Sequence, residues 1–128
     1  MTAISKKNNI DAKISIAILC SDFKNKTEYN LTKEQITYIS NEIKVNDKKF
    51  ITINTLHHLI IVVLIDDKKN HYTTLEGIRK NGATIADALN GNKLKDIQVI
   101  NELSNPDYSL ALTEGIALAN YQIGRAHV

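Results

Sequence analysis

The sequence predicts an α/β fold: a three-layer sandwich in which helices cover both faces of a mixed β-sheet. Two runs, residues 14–20 and 58–65, are short, apolar and rich in β-branched side chains, as buried strands are. Two longer segments, residues 75–89 and 105–121, carry apolar residues at helical spacing. The predicted order is strand, helix, strand, strand, helix, strand, helix, which is typical of a sheet covered on both faces.

The chain begins with a polar lead-in, residues 1–13, and the strand at residues 14–20 follows it. Thr32 and Gln35 then have the spacing of a capping box, in which each side chain bonds the other residue's backbone N–H. A helix is therefore expected from this box to about Lys44.

Two strands and a helix are predicted next. Residues 50–55 alternate between apolar and polar side chains, as a strand does, and residues 58–65 form the most hydrophobic strand of the chain. This second strand is the expected centre of the sheet. Thr73 and Glu76 form a second capping box, which predicts the start of an amphipathic helix that residues 90–92 end.

Residues 96–100 form the last predicted strand, and residues 105–121 the last helix. Asn105 is the expected N-cap, with Asp107 in the first turn. The helix is apolar on nearly every side, so most of its surface must be covered. Gly115 costs roughly 1 kcal/mol relative to alanine inside a helix, and a close approach to a neighbouring strand or helix would explain its presence.

Composition narrows the classes of protein that fit. The 128 residues suffice for one domain with a real core, and 16 basic against 14 acidic residues give a net charge of only +2. Well-mixed charge of this size predicts no strong field for nucleic acid or membrane. The sequence has no apolar run of the length needed to span a bilayer and no secretory signal, so a reducing cytoplasm is the expected location.

Two blocks resemble the N-terminal domain of cytosol (leucyl) aminopeptidases. Residues 113–121 are similar to the E-G-x-x-L-x-x-Y helix that closes that domain. The strand at residues 58–65, followed by residues 75–83, is similar to the family's strand, loop and L-E-x-x-R-x-x-G-A helix. The resemblance covers roughly residues 14–121, and it implies a macro-domain-like α/β fold.

The resemblance also implies a function. Residues 14–123 would be the non-catalytic N-terminal domain of a metallo-aminopeptidase, which removes N-terminal amino acids from peptides by two-metal hydrolysis. In the family a separate domain holds the two divalent metals, Zn or Mn, through a lysine, several aspartates and an N-T-D-A-E-G-R motif that this chain lacks. We therefore assign no catalytic, cofactor-binding or metal-binding residue here. Residues 124–128 depart from the family's pattern.

The partners implied by the resemblance are the protein's own catalytic domain and neighbouring subunits. The family's hexamer is built mainly on the catalytic domains, so this chain alone is expected to be a monomer or a weak dimer. Two alternatives stay open: a stand-alone macro-like module that binds a ligand, and a purely structural or protein-interaction domain. The chain belongs to an enzyme only if the aminopeptidase interpretation, rather than one of these alternatives, is correct.

Several histidines and the single cysteine are candidate site residues. His57 and His58 are adjacent where a strand begins, so their side chains diverge and a polar turn is expected rather than a metal site. His71 and His127 are expected to be solvated. Cys20 ends an apolar strand with no base beside it in sequence, which predicts a buried structural thiol.

Phosphate and nucleic-acid sites are not predicted. A pyrophosphate site needs clustered glycines whose backbone N–H groups can approach the ligand, whereas the five glycines of this chain are scattered and three lie in predicted helices. The loop lysines lack interleaved aromatic residues, so we interpret them as solubilising charges. Ser21 and Asp22 are explained by the turn that ends a strand.

Overall fold

The fold is described from a computed structural model, which covers residues 3–5, 13–23, 29, 31–55, 57–66, 70–94 and 96–122. Within these residues the chain forms five strands and three helices. In chain order they are β1 (Ala3–Ser5), β2 (Ser15–Cys20), α1 (Lys33–Lys44), β3 (Phe50–Asn54), β4 (Leu59–Leu64), α2 (His71–Gly91), β5 (Asp96–Asn101) and α3 (Asp107–Gln122). The predicted α/β class is confirmed.

The strands form one mixed sheet in the order β1-β5-β2-β4-β3. The neighbours β1, β5, β2 and β4 pair in parallel, and β3 pairs with β4 in the antiparallel sense at one edge. The prediction that β4 forms the centre is wrong, because β2 lies in the middle of the five. Both strands are buried nearly throughout, and strong hydrophobicity marks every interior strand of a parallel sheet rather than its centre alone.

The opposite edge of the sheet was not predicted. The sequence predicts a polar lead-in at residues 1–13, but Ala3–Ser5 pairs with Asp96–Gln98 as the short strand β1. A three-residue strand is too short to show a reliable alternation of apolar and polar residues. Pairing with β5, rather than a local pattern, defines it.

Alternate side chains of the strands enter two cores on opposite faces of the sheet. Ile16 and Ile18 of β2 belong to the core under α1, whereas Ala17 and Leu19 belong to the core under α2 and α3. This alternation follows from the two-residue period of a strand. One helix therefore covers one face and two helices cover the other.

The first predicted capping box is confirmed and the second is wrong. Thr32 N–H donates to Gln35 Oε1 at 2.9 Å, and Gln35 N–H donates to Thr32 Oγ1 at 3.1 Å. Helix α2 instead begins three residues before the predicted box, with Asn70 as its N-cap accepting from the N–H of Thr73 at 3.2 Å. Asparagine is as good a cap as threonine, and the Glu76 carboxylate binds an arginine instead.

Helix α3 is covered on most sides, as expected. Tyr108, Leu112 and Ile116 lie in the core, as their helical spacing predicts. Leu110 and Leu118 are 57% and 59% exposed, and together with Asp107 they form the narrow outer side of the helix. An apolar pattern on every side does not identify the outer side, and single exposed leucines are ordinary on a protein surface.

Candidate functional site

Helices α2 and α3 approach each other most closely at two glycines. A Cβ atom placed on Gly82 would lie 2.5 Å from the Leu112 carbonyl oxygen and 2.9 Å from the Gly115 Cα. A Cβ on Gly115 would lie 2.9 Å from the Arg79 carbonyl carbon. Real Cβ atoms do not approach backbone so closely, so both positions require glycine. The predicted close approach at Gly115 is confirmed.

An arginine bridges the same two helices beside the glycines. Arg79 Nε donates to Glu114 Oε2 of α3 at 3.1 Å, and its Nη1 donates to Glu76 Oε1 of α2 at 2.7 Å. Hydrogen bonds to Glu114 and then Glu76 raise the pKa of Arg79 above its ordinary value. The guanidinium group thus links the two helices through charge-assisted hydrogen bonds.

The carboxyl ends of the parallel strands form a second region of interest. After β2 the chain passes to the face covered by α1, where Phe23 and Leu31 enter the core. After β4 it passes to the opposite face and forms α2. Neighbouring strands whose chains leave to opposite faces create a crevice, and open α/β sheets bind ligands at such crevices.

A cavity of about 710 Å³ occupies this crevice. Its apolar part comes from the carboxyl end of β4 and from Ile78 of α2, and its polar part is varied in chemistry. The polar and glycine residues that line it are Ser21, Lys49, Asp66, Thr73, Thr74, Gly77 and Asn81. The volume lies in the range of small-molecule sites. Hydroxyl, amide, ammonium and carboxylate groups could bind a polar ligand, and they include no nucleophile with an adjacent base.

Helix α2 presents an open surface to this cavity. Thr73 or Thr74, Gly77 and Asn81 recur about one turn apart along it. A Cβ atom on Gly77 would meet no atom within 4 Å, so the helix leaves space there that it does not leave at Gly82. Gly77 lies within a helix, so it does not form the glycine-rich loop that a pyrophosphate requires.

The candidate residues at the end of β2, which are Cys20, Ser21 and Asp22, lie beside the crevice. Cys20 is 1% exposed, which confirms the prediction of a buried thiol. Its carbonyl oxygen accepts from the N–H of Ile65 at 2.9 Å, so the backbone there joins two strands. Ser21 and Asp22 are exposed in the bend that follows, as predicted.

The histidine pair forms the predicted polar turn. The Thr55 hydroxyl accepts from the N–H of His58 at 3.1 Å and donates to the His58 carbonyl oxygen at 2.9 Å, which closes the connection between β3 and β4. Burial, followed by repulsion from His57, lowers the pKa of His58 below its ordinary value of 6.5. Both histidines thus belong to the turn.

His71 is half-exposed but is not simply solvated. Its Nε2 lies 3.3 Å from Asp107 Oδ2, so the first residues of α2 and α3 are paired. Its ring also lies 6.1 Å from that of Tyr108, at an angle of 47°. The sequence gives no sign of this pair because its members are far apart along the chain. His127 lies outside the described residues, as does the departing tail at residues 124–128.

A further contact at the carboxyl edge was missed. The Tyr29 hydroxyl donates a short hydrogen bond to the carboxylate of Glu102. The Glu102 N–H donates to the Leu19 carbonyl oxygen at 2.9 Å, so the contact ties the segment before α1 to the ends of β5 and β2. No local sequence pattern predicts this hydrogen bond, since the two residues are 73 positions apart.

Comparisons with protein-family models, curated proteins and solved structures find no match. Among the described residues, no three or more His, Cys, Asp and Glu side chains are grouped so that they could hold a metal ion. None of the described helices is long and apolar enough to span a bilayer. The cavity, the sheet edges and the α2–α3 contact are therefore the candidate functional regions of the described residues.

Proposed function

We propose that this chain is the non-catalytic N-terminal domain of a leucyl aminopeptidase-like protein, with an architectural role. One observation supports this proposal most: the two blocks that resemble the family meet in space. Arg79 of the first block binds Glu114 of the second, and Gly82 packs against Gly115. The two blocks are separate in sequence, but their helices pack together as one unit.

The details of this unit favour an architectural role over a catalytic one. The Glu76 and Glu114 carboxylates both bind Arg79, so they are occupied as structural ion-pair partners. The proposed fold is macro-domain-like, and the mixed sheet with helices on both faces agrees with it. Two divalent metals, Zn or Mn, would bind in the catalytic domain, where they would activate water for peptide hydrolysis. The proposed partners are that domain and neighbouring subunits, in the cytoplasm.

The first test is to determine the reading frame beyond the codon for Tyr121 and to express the complete product. We expect the frame to continue into the N-T-D-A-E-G-R motif, and the complete protein to release p-nitroaniline from leucine p-nitroanilide in the presence of Mn²⁺. The 128-residue chain should be inactive under the same conditions. A stop codon directly after Val128 would remove the aminopeptidase proposal.

The architectural role has its own test in the complete protein. Gly115→Leu should lower the melting temperature of the complete protein while metal content per subunit, measured by mass spectrometry, stays unchanged. Gly77→Leu is the matched control, because it also places leucine at a helical glycine of a resembling block but faces open space. Loss of bound metal in Gly115→Leu would show instead that this contact supports the catalytic domain directly.

The cavity favours a second candidate, a macro-like module that binds a small polar ligand. We would titrate the chain with ADP-ribose by calorimetry, since that ligand tests the macro-like alternative directly. Gly77→Phe should fill the cavity from an exposed helix position and abolish binding, whereas Gly91→Phe, at the far end of α2, should bind as the parent does. No heat at millimolar ligand would remove this candidate.

A further inference from the structure

Strand β3 has one unpaired side among the residues that the structure describes. It pairs with β4 alone, in a one-to-one register from Phe50↔Val63 to Asn54↔Leu59. A free strand edge presents a row of N–H and C=O groups that another strand can bind. β3 itself contains no charge, no proline and no bulge, which are features that protect other edge strands.

The hydrogen bonds at the two ends of β3 show which of its residues face outward. The Lys49 carbonyl oxygen accepts from Leu64 N–H at 2.8 Å, and Thr55 N–H donates to the His58 carbonyl oxygen at 3.0 Å. Hydrogen-bonded positions alternate along an antiparallel pair. The odd-numbered residues of β3 therefore direct their backbone groups at β4, and the even-numbered residues direct theirs at the free edge.

An apolar groove runs beside this edge, between β3 and α1. It has a volume of about 330 Å³, and its residues are Glu34, Gln35, Tyr38, Thr52, Ile53 and Asn54. Tyr38 is 47% exposed although it is a large side chain, and Ile53 is only partly buried in the core under α1. The edge thus combines free backbone groups with uncovered apolar surface.

We propose that the β3 edges of two copies of this chain pair in the antiparallel sense about a two-fold axis at Thr52. This register sets Thr52 opposite Thr52 of the second copy, and Phe50 opposite Asn54 of the second copy. Every outward-facing residue then opposes another outward-facing residue, and each opposed pair exchanges two N–H···O=C bonds. A shift by one residue would set outward groups against inward ones.

The side chains fit the same register. Ile53 lies opposite Ile51 of the second copy on the face covered by α1, and the two Thr52 side chains form a cross-strand pair on the other face. The two-fold axis also sets the α1 helices side by side and antiparallel, so the groove beside Tyr38 in each copy is covered by the same surface of the other. A self-complementary strand and groove favour a second copy over an unrelated peptide.

This dimer is independent of the aminopeptidase proposal, because it is derived from the backbone and the groove at β3 alone. Sedimentation velocity over a range of concentrations tests it on the 128-residue chain. The monomer has a mass of 14.3 kDa, and we expect the wild-type mass to double as concentration rises. A wild type that stays at 14.3 kDa at millimolar concentration would overturn the proposal.

Thr52→Pro is the decisive variant. It removes an N–H that points away from β4, so the ladder within the monomer is retained and an edge strand tolerates proline. We expect a folded monomer at every concentration, whereas Thr52→Val, which keeps the N–H, should dimerise like the wild type. A folded Thr52→Pro chain that still dimerises would refute the β3 interface.

A second measurement covers the case in which Thr52→Pro does not fold. Amide hydrogen exchange of the wild type, followed residue by residue at low and high concentration, should show protection that rises with concentration at Phe50, Thr52 and Asn54. The amides of Ile51 and Ile53 should not change, since they already bond β4. Equal behaviour of the two sets would contradict the proposed pairing, as would protection confined to an unrelated surface.

Discussion

The two faces of the sheet are covered in different ways. Helix α2 buries five residues, Ile78, Gly82, Ile85, Ala86 and Leu89, and also packs against α3 through paired glycines and a bridging arginine. Helix α1 fully buries a single residue, Ile39. Among the described residues, one face is thus covered by two interlocked helices, whereas the other is covered by one helix whose outer side and neighbouring strand edge are exposed.

This difference suggests that one face mainly stabilises the fold and that the other can bind a second chain. Close backbone contact between α2 and α3 leaves no room for a ligand or partner, so that interface specifies the fold. The free edge of β3 lies beside α1, where the cover is thinnest. Local opening is expected to begin where few apolar contacts must be broken. The α1 face is therefore expected to be both the less stable face and the one available to a second protein chain.

Truncating one anchor on each face gives the largest expected effect. Ile39→Ala and Ile85→Ala each remove a fully buried side chain, and such truncations cost about 2 to 5 kcal/mol. We expect Ile85→Ala to lower the free energy of unfolding of the whole domain. Ile39→Ala should mainly speed amide exchange in residues 33–44, because α1 has no second buried anchor. If both variants speed amide exchange equally in α1 and α2, the two faces do not differ in stability as described.

Overpacking the helix contact should have a somewhat smaller effect. Gly115→Leu forces a side chain against the backbone of Arg79, and overpacking of this kind typically costs about 1 to 3 kcal/mol. Chemical denaturation would measure the change. Gly77→Leu is the control on the open side of α2 and should be at least as stable as the wild type. An unchanged unfolding midpoint for Gly115→Leu would mean that α3 is not packed as described.

Adding a single methyl group at two glycines of α2 should change the stability of the protein in opposite directions. Gly77→Ala should stabilise the protein by up to about 1 kcal/mol, because alanine is the better helix former and Gly77 has open space around it. Gly82→Ala should destabilise it despite the same gain in helix propensity, since the new Cβ would lie 2.5 Å from the Leu112 carbonyl oxygen. Thermal unfolding of the two variants measures the difference, and stabilisation by both would contradict the close contact.

Features specified by local chemistry could be predicted from the sequence, and features specified by distant contacts could not. The capping box at Thr32 and the glycine at position 115 each carry a local requirement that a pattern reveals. The start of α2 was misplaced because two suitable caps, Asn70 and Thr73, lie one turn apart and only the fold chooses between them. The pair of Tyr29 and Glu102 has no local signal at all.

The candidate site was less predictable than the fold for the same reason. Ser21, Asp66 and Gly77 lie in three separate segments, and only the parallel pairing of β2 with β4 and the position of α2 bring them to one cavity. The sequence could be searched for nucleotide loops and metal motifs, because those patterns depend on local spacing. It could not predict a cavity made by the ends of neighbouring strands.

The smallest expected effect is a pH dependence confined to the thinly covered side. Burial, followed by repulsion from His57, lowers the pKa of His58 in the folded protein below 6.5, so the unfolded chain binds a proton more readily. Stability should therefore fall as pH drops from about 6.5 to the folded pKa of His58, and this contribution should level off below that pKa. His58→Gln should flatten the dependence in denaturation curves measured between pH 7 and pH 5. Because His58 closes the turn between β3 and β4, its protonation should speed amide exchange in that hairpin before it affects α2.

If lowering the pH speeds amide exchange equally in the hairpin and in α2, the titrating group is not His58.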